Sequence, residues 1–139
     1  MQTKPWLNEM SWDALASINQ TLCETQNVPV QPGKNQDKAR QLWERTYTKS
    51  MALAEALDFC KECNRLAPFT FNNGNTFATA SRKMVEDWIQ SLPSYEAHML
   101  RTGVGHYVNG MISKKEMLDT LRHAEITRKT ATKQSEAGR

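Results

Sequence analysis

PFTFNNGNTFATASR, running from Pro68 to Arg82, places two aromatics, three asparagines and a glycine within the seven residues 69–75. An apolar stripe at helical spacing follows at once: Phe77, Ala80, Met84, Val85, Trp88 and Leu92, stopped by Pro93. The switch from turn formers to a 3.6-residue period marks a helix entrance, and the spacing predicts one helix over 76–92. Gly74 can supply a positive φ, Asn75 or Thr76 can cap the helix, and Phe69, Phe71 and Phe77 can pack beneath it. The same geometry has a second use. Backbone N–H groups at a helix start, reached through a glycine, form an anion site, so Gly74, Asn75 and Thr76 are the candidate donors to a nucleotide phosphate.

Working outward, the chain reads as helices joined by punctuated loops. Ser11 caps a helix with Trp12, Leu15, Ile18 and Leu22 on its apolar face. The helix should stop before residues 27–35, where two prolines and a glycine interrupt regular structure. Asn35 can open the next element. Its stripe runs through Ala39, Leu42, Trp43, Thr46, Leu53, Leu57 and Cys60 to Leu66, with a break expected at the weak helix formers of 46–50. Ala97, Leu100, Val104 and Tyr107 mark a fourth helix ending near Asn109-Gly110. Ser113 and Glu116 form a capping box for a fifth, whose core face is Met117, Leu118, Leu121 and Ala124. No segment alternates like a strand. The expected fold is all-α: a compact single-domain helical bundle over 1–127, with 128–139 a polar, flexible tail.

Composition bounds the function. At 139 residues, 39% hydrophobic and 24% charged, the chain suits one globular domain. No run approaches the ~18 apolar residues of a membrane span. The first residues lack the apolar core of a secretory signal, which gives a cytoplasmic expectation. Net charge is +3, without the clustered basic face, interleaved with aromatics, of a nucleic-acid binder. The three cysteines are too few and odd in number for a disulfide framework. Cys60 and Cys63 have CxxC spacing, but zinc would need two more ligands. His98 and His106 are the nearby candidates, and the reading adopted is two small core residues and no metal.

The order of elements, with the F-x-F-x-x-G-N run of Phe69, Phe71, Gly74 and Asn75, resembles the Fic/Doc superfamily, whose signature loop reads H-x-F-x-[D/E]-G-N-x-R. The closing YVNGMISKKEMLDTLRHA, residues 107–124, is similar to the last element of Doc-type members. SWDALASINQTLCE, residues 11–24, is similar to their first helix. The resemblance spans most of 8–125. It implies a domain that binds nucleotide at this loop and modifies a hydroxyl of a target protein. The departures fall on the chemistry. Phe69 stands where the general-base histidine belongs, and a phenyl ring accepts no proton. Asn73 replaces the acid that helps hold metal and phosphates, and Thr76-Phe77 ends where the phosphate-gripping arginine should be. What the resemblance implies is therefore a degenerate, catalytically inactive member that has kept a protein-recognition role. Such a domain could be an inhibitor or regulator carried by a plasmid, a toxin–antitoxin pair or another mobile element, working with a protein partner and no cofactor. The alternative enzyme would transfer AMP or phosphate using His98 or His106 as base, with Arg82 and Arg101 supplying positive charge. A further alternative is a helical scaffold of unrelated origin.

Overall fold

The computed structural model describes residues 3–137, with side-chain environments given as far as residue 130. Among the described residues seven helices follow one another: α1 (Trp12–Thr25), α2 (Gln36–Thr46), α3 (Leu53–Leu66), α4 (Asn73–Met84), α5 (Glu86–Gln90), α6 (Ser94–Val108) and α7 (Lys114–Ala137). The fold class is all-α, as the periodicity predicts. One departure is small: β1 (Thr3–Lys4) and β2 (Met51–Ala52) pair antiparallel, Thr3 opposite Ala52. These two strands tie the N-terminal segment to the break between α2 and α3, and neither is long enough to show alternation in the sequence.

Capping chemistry sets the helix ends. The Ala14 N–H donates to Ser11 Oγ at 3.1 Å. At α7 the Glu116 N–H donates to Ser113 Oγ at 3.1 Å, and the Ser113 N–H donates back to Glu116 Oε1 at 3.3 Å. Ser113→Ala should therefore lower stability by about 1 kcal/mol. An unchanged urea midpoint would show that the box contributes nothing. Asn35 stands at the start of α2 but spends its side chain elsewhere, donating to the Leu66 carbonyl at the end of α3 at 2.8 Å. The single helix expected over 76–92 is two. Val85, at φ −104 and ψ 12, leaves helical geometry and α5 sets off from there. Leu118, expected in the core, is 39% exposed, while Met117, Leu121 and Ala124 are buried. The polar segment set apart as a tail continues the backbone of α7 to Ala137, and residues 138–139 lie outside those described.

The core places α4 centrally, against α1, α3 and α6, with α7 packed on α6. Its largest fully buried members include Trp43, Phe77, Leu15, Leu53, Leu57 and Leu100. Trp43 and Phe77 meet at 6.0 Å between ring centroids, and Phe59 stacks on Trp43 at 5.3 Å. The start of α4, the helix that the opening motif predicts, thus lies on the packing centre of the protein.

Candidate functional site

The loop between α3 and α4 leaves α3 through Ala67, which takes the left-handed conformation at φ 52. Residues 68–70 are held by the connection from α1 to α2. The Gly33 N–H donates to the Pro68 carbonyl at 2.8 Å, and the Thr70 N–H donates to the Gln31 carbonyl at 2.9 Å. At Gly33 a side chain would run into the backbone of residues 67–69, so this close approach requires glycine.

The turn differs from expectation. The left-handed residue is Asn72, at φ 66, and Gly74 lies within the first turn of α4, which begins at Asn73. Asparagine tolerates this conformation because its short polar side chain bonds locally. Asn72 Nδ2 lies 3.5 Å from Cys23 Sγ on α1. Neither Asn75 nor Thr76 caps the helix. The Thr76 N–H already donates to the Asn72 carbonyl, which removes it from the expected phosphate donors. Gly74 has another purpose: a Cβ there would collide with Asn109 Oδ1 at the end of α6. The N–H groups of Asn73, Gly74 and Asn75 have no acceptor within the helix by virtue of their position.

The side chains at the key positions turn inward. Phe69 is buried and stacks on Trp12, with centroids 5.6 Å apart and planes 16° from parallel. Asn73 clasps the backbone of the same residue, accepting from the Phe69 N–H at 2.9 Å and donating to the Phe69 carbonyl at 2.7 Å. An aspartate could accept but not donate, so this double bond suits the amide. Thr76 and Phe77 are fully buried. Phe71, read as packing beneath the helix, is 39% exposed, and Asn75 is exposed.

One residue at the centre of this arrangement escapes the sequence reading. Asn19, 1% exposed, projects from α1 and donates through Nδ2 to the Phe71 carbonyl at 2.7 Å and to Thr76 Oγ1 at 3.1 Å. Its Oδ1 lies 3.7 Å from Cys23 Sγ. The face of α1 that is buried runs Trp12, Leu15, Asn19, Cys23, whereas Ile18 and Leu22 are only half-buried. A polar residue at helical spacing between apolar ones was the available signal.

The other chemistry-bearing candidates are dispersed. On α6, His98 and Arg101 are exposed and His106 is half-buried, and neither histidine bonds to a loop residue among those described. Arg82 lies against Gly105 on α6. Cys60 and Cys63 are buried thiols. Burial pushes Cys60 up to about 12, against a smaller downward pull from the Ser81 hydroxyl, and pushes Cys63 up as well. Among the described residues, no three His, Cys, Asp or Glu side chains converge as a metal site would require. No described helix is long and apolar enough to cross a membrane.

At the far end of α6 a polar cluster ties the α6–α7 elbow to α3. The Tyr107 hydroxyl donates to Asp58 Oδ1, Lys114 Nζ pairs with Asp58 Oδ2 at 2.9 Å, and Lys61 Nζ sits 4.5 Å from the Tyr107 ring centroid. Burial first, then the Asp58 carboxylate, push the phenol up from 10.0 to about 12. Because the folded value lies above the unfolded one, this contribution is intact below pH 10 and is lost as pH climbs from 10 towards 12. In a tyrosinate absorbance titration, the component lost in Tyr107→Phe should ionise above pH 10, towards 12. A Tyr107 component ionising at or below pH 10 would contradict it.

No family model matches the chain, and no curated protein and no solved structure matches it.

Proposed function

We propose that this chain is a Fic/Doc-like domain without catalytic activity, acting as a protein-binding regulator or inhibitor. One observation carries the reading. The motif positions where that chemistry needs a base, an acid and an arginine hold Phe69, Asn73 and Phe77, and all three side chains are engaged in packing or local bonding within the fold. A loop built this way retains a turn and a helix start but offers no proton acceptor and no cation for a phosphoryl group. The divergent-enzyme reading has less behind it, since His98, His106 and Arg101 make no bond to the loop among the described residues. A helical domain with no reactive loop acts through its surface, and a target protein is the partner such a domain is suited to bind.

The test is affinity purification from the source cells followed by size exclusion. A partner should co-elute at fixed stoichiometry, without need of ATP or Mg²⁺, and Asn75→Ala should retain it. Elution of the domain alone under all conditions, or a complex that requires ATP, would contradict the proposal.

A further inference from the structure

Arg82 is the only arginine among the described residues that is half-buried; the others are exposed. Arg40 pairs with Glu44 at 2.8 Å and Arg65 with Glu62 at 2.5 Å, both at the surface. The Arg82 carbonyl accepts from the Val85 N–H at 3.3 Å, but its side chain makes no hydrogen bond and no ion pair with any described residue. Glu86, four positions on, belongs to α5 beyond the interruption at Val85 and does not pair with it. A half-buried arginine whose guanidinium rests against a neighbouring helix without gaining an anion is an unusual arrangement, because charge brought against the protein interior is ordinarily compensated.

The seat for this group is built. On α6, which packs against α4, Gly105 is buried, and a Cβ there would lie 2.7 Å from Arg82 Nη2, 3.1 Å from Cζ and 3.1 Å from Nε. The guanidinium therefore rests directly on the α6 backbone in a notch that exists because residue 105 has no side chain. Arg82 as a whole is half-buried, so part of its side chain remains in contact with solvent. Arg101, one turn back along α6, is exposed and adds a second positive charge to this helix. One turn in the other direction is Asn109, against which Gly74 packs.

We infer that Arg82, held in the Gly105 notch, is the centre of an oxyanion-binding site, taking a carboxylate or phosphate group edge-on through its paired N–H donors. A planar guanidinium fixed in one orientation loses little freedom on forming two parallel bonds to such a group. The site is separate from the motif loop, and it stands whether or not that loop derives from a catalytic one.

The test reads the Arg82 Nε–Hε resonance by NMR during titration with inorganic phosphate and, separately, with acetate at constant ionic strength. The Arg82 signal should shift saturably with both anions, and chloride at the same strength should leave it unmoved. Gly105→Ala pushes the fork out of its seat without removing the charge. It should weaken phosphate binding about tenfold, the value of one charge-assisted hydrogen bond, with Arg82→Ala abolishing it and Arg101→Ala changing it less than Gly105→Ala does. An Arg82 signal that does not respond, or equal binding by wild type and Gly105→Ala, would overturn the site. So would an identical shift at exposed arginines. Response to phosphate alone would assign the site to phosphate groups, and response to acetate as well extends it to protein carboxylates.

Discussion

Phe77→Arg is expected to leave no cooperatively folded protein. Phe77 is fully buried, packed on Trp43 at the centre of the helix that α1, α3 and α6 surround. Removing the ring from such a position costs roughly 3–5 kcal/mol. Placing an unpaired guanidinium there adds a desolvation penalty of several kcal/mol, because no Asp or Glu is among the buried residues of the described part. Small domains hold about 5–15 kcal/mol in total, so the two costs together exhaust most of it. Far-UV circular dichroism and amide dispersion would report the loss. A well-folded variant that keeps a cooperative transition within about 2 kcal/mol of wild type would contradict the packing described. One consequence concerns the resembled motif. Introducing its histidine, acid and arginine together, as Phe69→His, Asn73→Asp and Phe77→Arg, is expected to destroy the fold rather than give nucleotide binding.

Asn19→Ala is expected to give the second-largest loss, roughly 2–4 kcal/mol. The variant deletes both donated bonds to the loop, leaving the Thr76 hydroxyl without this partner in a buried setting and the part-buried Phe71 carbonyl without its donor. It also opens a void beside Cys23. The urea midpoint should fall with little change in slope. Amide exchange should accelerate selectively over 71–76, because Asn19 supplies two of the side-chain bonds that join α1 to that turn, beside the contact of Asn72 with Cys23. A midpoint within error of wild type would mean that the loop is held by its own bonds and by the pairing with residues 31–33 alone.

Much of this architecture is legible in the sequence because it rests on local rules. The capping box at Ser113, the cap at Ser11, the break after α2 and the stops before Pro93 and at Asn109-Gly110 all follow from backbone chemistry within a few residues. What failed to read was decided by contacts distant in sequence. The positive φ fell on Asn72 rather than Gly74, since Gly74 is needed to admit Asn109 from a helix some 35 residues away. The apolar face of α1 is rotated to include Asn19, because a buried amide there satisfies a loop 52 residues on. The interruption at Val85 and the exposure of Leu118 likewise depend on how neighbouring helices pack. At the candidate site, the turn-forming and aromatic residue types were legible, while the inward rotation of Thr76 and Phe77 required the fold.

The measurement closest to the central claim, that this loop serves structure and not group transfer, is a labelling experiment. The purified protein is incubated with Mg²⁺ and ATP labelled at the α or the γ phosphate, in a lysate of its source cells. No protein-bound label above that of a heat-inactivated control is expected, either on the chain itself or on any other protein. Label transferred by the unmodified chain, and abolished by Asn75→Ala or by His106→Ala, would contradict the claim and establish a transferase.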